Sequence, residues 1–176
     1  MIRSGIASLN GKWVCAVSVG FLFFLIAGLV KTPAFAGQAR LEISVSGERA
    51  WTDTGMDVTE GQEIYFRAVG QISLQKGNPV TYCGPEGYSY RSLQQPLQDQ
   101  NIGSLIGKVY FLISIEVDKE TGEEVRNERE EIFYIGPASR IIMPMAGRLF
   151  LGINENIVVD NEGIFTVVIY SITEGL

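Results

Sequence analysis

The stretch GRLFLGINENIVVDNEGIFTVVIY, residues 147–170, decides the fold of this chain. Its two flanks, 148–153 and 164–169, are rich in β-branched and aromatic residues, a composition typical of β-strands. The segment between them is rich in side chains that carry oxygen, and it closes on Asn161, Glu162 and Gly163, residues that favour a turn. The stretch therefore predicts two strands joined by a loop whose side chains can bind a ligand through oxygen.

Strand signals recur outside this stretch. In the segment 61–69, the apolar residues Ile64, Phe66 and Ala68 alternate with polar neighbours, which is the period of a half-buried strand. Further predicted strands are 41–46 (LEISVS), 105–117 (LIGKVYFLISIEV) and 131–135 (EIFYI). No convincing amphipathic helix of ten or more residues follows residue 36, and Gly-, Pro- and Asn-rich turns separate the strands.

Six to eight short strands in one domain predict an all-β fold, a jelly-roll-like antiparallel β-sandwich. The charged segment 118–131 (DKETGEEVRNEREE) has no apolar stripe and contains Thr121-Gly122. It is predicted to be a solvated loop at the tip of a hairpin.

The N-terminus differs from the rest of the chain. Arg3 and Lys12 precede the apolar run 13–30, and Ala34-Phe35-Ala36 resembles a signal-peptidase site. We expect residues 1–36 to form a hydrophobic signal helix that is cleaved, which leaves a β-sandwich domain of residues 37–176. The alternative is an uncleaved membrane anchor, because 18 apolar residues are about enough to span a bilayer. Both readings predict a domain that is secreted, periplasmic or at the cell surface.

Composition excludes several classes of function. The chain has no histidine, so it cannot carry a serine–histidine triad or the usual zinc ligands. Residues 37–176 carry 11 basic against 20 acidic residues, a net charge of −9. That charge disfavours a nucleic-acid partner and suits a divalent cation, although it also simply favours solubility. Cys83 is the only cysteine after residue 36 and is expected to be a buried thiol.

Spaced motifs along the chain resemble one family. They are Trp51 with Asp53-Thr54-Gly55, Cys83-Gly84-Pro85-Glu86-Gly87, Gly103-Ser104-Leu105-Ile106-Gly107, Phe133 with Ile135-Gly136, and the segments 147–155 and 160–165. In order and spacing, the chain resembles the bacterial galactophilic calcium lectins, small jelly-roll sandwiches that bind galactose through a calcium ion. The similarity covers residues 51–170, and it implies a galactose-binding-like β-sandwich.

The resemblance also implies a site at the loop of residues 154–161. The implied calcium ligands are the side chains of Glu155, Asp160 and Asn161 and backbone carbonyls from Leu74 and from Ile157 or Val158. The implied sugar contacts are Tyr90, Arg91, Asn154, Glu155 and Asp160. Carboxylate, amide and carbonyl oxygens are the ligands that Ca²⁺ prefers.

Other interpretations of the same residues stay open. Asp160, Asn161, Glu162 and Gly163 also suit a plain hairpin turn, and the tyrosines near Arg91 could simply pack in a loop. Glu155 stands where the family usually has aspartate, so a structural or adhesion sandwich that lost the sugar site is the alternative function. A glycoside hydrolase using Glu155 and Asp160 is a third hypothesis.

We expect no enzyme, and a carbohydrate partner of galactose type. Contact with a membrane is expected only through an uncleaved N-terminal segment. Because members of the family assemble as oligomers, the resemblance also leaves a homo-oligomer open.

Overall fold

In the computed structural model, residues 38–119 and 121–172 are described, and they form an all-β, antiparallel fold. This part of the chain contains nine strands and one 3₁₀ turn, Pro79–Thr81. The strands are β1 (Gln38–Ser46), β2 (Trp51–Val58), β3 (Glu63–Ser73), β4 (Tyr82–Cys83), β5 (Leu105–Val117), β6 (Glu124–Tyr134), β7 (Ala138–Ile142), β8 (Gly147–Ile153) and β9 (Glu162–Ile172).

The predicted signal peptide and its cleavage site lie outside the described residues. Within the part that is described, no helix has the length and apolar character needed to cross a bilayer.

The strands form two antiparallel sheets. In one sheet the order is β1-β9-β3, and both β4 and β7 pair with β3, β7 along 63–67 and β4 along 72–73. In the other sheet the order is β2-β8-β5-β6. Buried side chains from both sheets form a single hydrophobic cluster, which confirms the predicted antiparallel β-sandwich.

The alternation predicted for β3 is confirmed. Ile64, Phe66 and Ala68 are buried in the core, while the residues between them face outward. On the facing sheet, Leu149 and Leu151 of β8 are fully buried in the same cluster. Because each strand buries alternate residues, the two sheets supply the core between them.

One prediction was wrong: the loop at 118–131 is much shorter. β6 begins at Glu124, so only Asp118–Glu123 connects β5 to β6. Strand β6 pairs residue by residue with β5, for example Val125 with Glu116 and Arg129 with Phe111. Cross-strand pairing with an adjacent strand therefore outweighs the charged composition of this segment.

Three strands were not predicted, namely β2, β4 and β7. Strand β2 is interrupted by a change of register between Asp53 and Asp57, where Gly55 adopts a φ of 75°. This irregularity hides the alternation that identifies a strand in the sequence. β4 has two residues and β7 five, both too short for a clear periodic signal.

Candidate functional site

The loop of residues 154–161 runs across one edge of the sandwich. It leaves β8 in one sheet and enters β9 in the other, so its side chains lie at the rim between the sheets. The connection that follows β3 lies beside it, because the Lys76 N–H donates to the Asp160 carbonyl at 2.6 Å. The fold therefore brings the segment after Leu74 next to the loop that carries the predicted site.

Glu155 and Asn161 come together in this loop. The Asn161 Nδ2 donates to Glu155 Oε2 at 2.6 Å and to the Gly47 carbonyl at 3.2 Å. Asn161 is fully buried, yet its Oδ1 has no hydrogen-bond partner within the described residues. A buried acceptor without a partner costs free energy of about 1–3 kcal/mol, and a ligand bound to Asn161 Oδ1 would remove that cost.

The electrostatics of Glu155 are unusual for a rim residue. Burial raises the pKa of its carboxyl above the ordinary value, and the charge of Asp160 raises it further. The hydrogen bond from Asn161 opposes this shift. A half-buried carboxylate with no cationic side chain paired to it in the described structure is a place where a bound cation is favourable.

The remaining predicted metal ligands are less closely engaged. The Asp160 side chain is exposed, and so is Ile157. The Val158 carbonyl already accepts the Asn161 N–H at 3.2 Å, which favours Ile157 of the two carbonyls that the sequence left open. Leu74 packs its side chain toward Gly103 and donates its N–H to Thr81.

The acidic content of the rim is modest. Within residues 38–119 and 121–172, no three Asp, Glu, His or Cys residues lie close enough together to hold a metal ion. Any ion here has to be held by two carboxylates, the Asn161 amide, backbone carbonyls and groups that the ligand supplies.

Asn154 has a different role from the one predicted. It is fully buried, its Oδ1 accepts the Leu97 N–H at 2.8 Å, and its Nδ2 donates to the carbonyls of Leu97 and Asn101, both at 3.0 Å. These bonds use both hydrogens of Asn154 Nδ2 and one lone pair of its Oδ1. The geometry therefore gives Asn154 the role of ordering the long loop between β4 and β5, and leaves no side-chain surface for a sugar.

Tyr90 and Arg91 lie on that long loop. Both side chains are exposed, Tyr90 by 61%. The residues that follow them, Ser92, Gln94 and Gln95, line a shallow cleft of about 90 Å³ together with Ile102, Glu155, Asn156 and Ile157. The cleft thus joins the loop of Tyr90 and Arg91 to the carboxyl of Glu155.

The contribution of the glutamines was not predicted from the sequence. Gln95 is buried, and its amide holds the loop together by accepting from Ser92 and donating to Leu97 and Gln100. Gln94 is exposed and lines the cleft. The adjacent Gln94 and Gln95 are visible in the sequence. No local pattern relates them to the loop of Glu155, which lies 60 residues further along the chain.

Glu162 anchors the other side of the rim. It accepts the Gly77 N–H and the Tyr82 hydroxyl, each at 2.9 Å, and these bonds, Gly77 first, lower the pKa of its carboxyl. Tyr82 is therefore engaged in the loop framework, one of the two interpretations that the sequence left open.

Cys83 is confirmed as a buried free thiol. Burial, with smaller effects from Glu86 and Glu155, raises its pKa to about 12, so it remains a neutral thiol at physiological pH. Trp51 begins β2 opposite Gly152, and the centroid of its half-buried ring lies 4.4 Å from Lys108 Nζ.

Comparisons with known proteins place the fold. No family model matches the chain, and no curated protein matches it. Among solved structures, it is similar to the N-terminal domain of EclA, described as a PllA-like lectin, with 19% identity and a TM-score of 0.52 over 77% of this chain and 98% of that one. A second structure, of the disulfide-linked pili of Bacillus endospore appendages, has 10% identity and a TM-score of 0.24 over 77% of this chain and 88% of that one. The first similarity shows a shared sandwich fold.

Proposed function

We propose that this chain is an exported carbohydrate-binding domain of lectin type that holds a calcium ion at the rim of the sandwich. The observation that carries the proposal is that Asn161, held to the half-buried carboxyl of Glu155 through its Nδ2, keeps a buried Oδ1 that has no hydrogen-bond partner within the described residues. The similar EclA domain is described as a lectin, which supports binding rather than catalysis.

The donor set fits calcium. Ca²⁺ takes six to eight oxygen ligands and accepts mixtures of carboxylate, amide and backbone carbonyl. Glu155, Asp160 and Asn161 would supply side-chain oxygens, and the carbonyls of Leu74 and Ile157 would complete the protein's share. When bound, the ion supplies Lewis-acidic positive charge to which neighbouring sugar hydroxyls can be attracted.

We infer the size of the bound sugar from the cleft. A volume of about 90 Å³ is well below the roughly 300 Å³ of a small-molecule pocket, so it suits one edge of a monosaccharide. Gln94 and Asn156 line it with amides, and Tyr90 and Arg91 lie on the adjoining loop. We propose a galactose-type terminal residue, whose hydroxyls would face Glu155 and Asp160.

The strand order supports a jelly roll. Leaving out β4, the sheets read β1-β9-β3-β7 and β2-β8-β5-β6, and the chain crosses repeatedly between them. Eight strands in two such four-stranded sheets are the composition of a jelly roll.

The test is thermal unfolding of the purified chain in chelator and in millimolar calcium. An ion at 100 times its dissociation constant adds about 2.7 kcal/mol to the free energy of unfolding, which corresponds to an increase in Tm of about 5–10 °C. Glu155→Ala should abolish the increase. The matched control is Glu60→Gln, which removes the same charge from an exposed position in the turn between β2 and β3, at the opposite end of the sandwich from the loop. An equal response of both variants would contradict the proposal.

A glycan array probed in calcium and in chelator tests the sugar. Calcium-dependent binding to terminal galactose, lost in Glu155→Ala, is the expected result. Calcium stabilisation without binding to any glycan would favour the second candidate, a structural or adhesion sandwich. That candidate has its own support, since Asn161 already closes the rim by donating to both Glu155 and Gly47.

A further inference from the structure

The hairpin of β5 and β6 extends beyond the rest of its sheet. β5 runs from Leu105 to Val117, but β8 pairs with it only from Leu105 to Tyr110. Among the strands that the structure describes, only β6 pairs with residues 111–117. We call residues 111–129 the arm, of which all but residue 120 are described.

Within the described residues, one edge of β5 in the arm has no neighbouring strand. In an antiparallel pair, about half of the backbone N–H and C=O groups of each strand point away from the partner. Along 111–117 these groups face the space that β8 has left. An isolated two-stranded ribbon is only marginally stable in water, and a free edge is a template for another strand.

Apolar side chains are concentrated along this free edge. Large exposed hydrophobic residues on β5 of the arm are Phe111, Leu112, Ile113, Ile115 and Val117. On β6 of the arm, six residues from Glu124 to Arg129 include only one apolar side chain, Val125. In the arm, β5 is thus apolar and the adjacent β6 is charged. Protein interfaces are arranged in the same way, with an apolar core and a polar rim.

The faces of the arm follow from its register. Leu112 is opposite Glu128, and Ser114 is opposite Asn127, with Ile113 as an extra residue in a bulge. Because adjacent residues of β6 point to opposite faces, Leu112 and Ser114 also lie on opposite faces. The hydrogen bond of 3.0 Å from Asn127 Nδ2 to Ser114 Oγ confirms that Asn127 and Ser114 lie on the same face.

We propose that the arm pairs with the arm of a second copy of this chain, β5 edge to β5 edge, around a two-fold axis at Ser114. In an antiparallel pair, residues opposite each other lie on the same face of the sheet. With Ile113 as the extra residue of the bulge, this rule puts Ser114 opposite Ser114 of the second copy and Leu112 opposite Ile115. It also puts Phe111 opposite Glu116, the one charged residue on this edge. Two-fold dimers with self-complementary patches are the commonest assemblies.

The distribution of charge favours the β5 edge over the β6 edge for pairing between two copies of the chain. Pairing through the β5 edge brings no like charges opposite each other, even though residues 37–176 carry a net charge of −9. The outer edge of β6, by contrast, carries Glu124, Glu128, Glu130 and Glu131 with only two arginines among them. The nearly uncharged edge is therefore the one on which two acidic copies can meet.

The contact is small, so the dimer should be weak. Seven residues of strand span about 24 Å, and a single strand pair buries less than the roughly 800 Å² per partner of a standard interface. We expect a dimer that forms with increasing concentration, and it does not depend on the calcium site.

Disulfide trapping in the full chain tests the axis. In the proposed dimer the two Ser114 Cα atoms lie about 4.5–5.5 Å apart, within disulfide range, so Ser114→Cys should cross-link under mild oxidation. Asn127→Cys is the matched control, since it shares the face but lies on β6, three strand spacings or about 14 Å from its symmetry mate. The parent chain, with Cys15 and Cys83, sets the background.

Sedimentation of the full chain from micromolar to near-millimolar concentration provides the second readout. Ile115→Lys should weaken association about tenfold or more, while Ile142→Lys, at an exposed site on the other sheet, should leave it unchanged. Cross-linking of Asn127→Cys, no cross-linking of Ser114→Cys, or a parent that stays monomeric throughout would each overturn the proposal.

Discussion

Replacing Asn154 by alanine should destabilise the domain and disorder the cleft. The Asn154 side chain makes three hydrogen bonds to the loop between β4 and β5: one from the Leu97 N–H at 2.8 Å and two to the carbonyls of Leu97 and Asn101 at 3.0 Å. Its loss leaves three backbone groups without their partner. Each unpaired group costs about 1–3 kcal/mol when buried, but the loop is partly exposed and water can replace some of the bonds.

We therefore expect Asn154→Ala to lower the free energy of unfolding by about 2–4 kcal/mol, a large fraction of the roughly 5–15 kcal/mol of a typical domain. The assay is guanidinium unfolding in chelator, together with limited proteolysis of residues 88–101, which should be cleaved faster. Asn156→Ala is the control, because Asn156 is an exposed neighbour and should change stability by less than about 0.5 kcal/mol. If the two variants are equally stable, the loop does not depend on Asn154.

Three further predictions follow from the core and the rim. Burial raises the pKa of Glu155, so in chelator the folded state binds this proton more tightly than the unfolded state. Stability should therefore fall as pH rises from about 4.5 through the raised pKa, and Glu155→Gln should remove that part of the pH dependence measured by guanidinium unfolding. Leu149→Ala should cost about 2–5 kcal/mol in the same assay, whereas Ile142→Ala on the surface should cost little. Cys83, with a pKa of about 12, should resist a thiol reagent at pH 8 in a Cys15→Ser chain until the protein unfolds; rapid labelling of the folded chain would show that the thiol is accessible.

Much of the fold could be predicted because its signals are local. The prediction of 105–117 as one strand matches both ends of β5, and the alternation of Ile64, Phe66 and Ala68 fixed the inward face of β3. The end of β6 falls in the predicted strand 131–135, but residues 124–130 were mistaken for a loop. An exposed ribbon has no buried face, so the sequence of this segment lacks the apolar period. Only its pairing partner, β5, identifies it as a strand.

The candidate site was predictable in composition but not in detail. The sequence places Glu155, Asp160 and Asn161 in one loop, and it cannot show that Gly47, 114 residues before Asn161, covers the amide and buries it. The role of Asn154 was missed for the same reason, because its partners lie 53 and 57 residues away. Contacts across such distances depend on how the two sheets meet.

Calorimetric titration of calcium into the metal-free chain measures directly whether the rim holds an ion. We expect one ion per chain, with binding abolished in Asn161→Leu, which fills the same buried space but has no oxygen, and retained in Glu60→Gln. Calcium binding of equal strength and stoichiometry in Asn161→Leu, or no binding by the parent chain at millimolar calcium, would contradict this expectation.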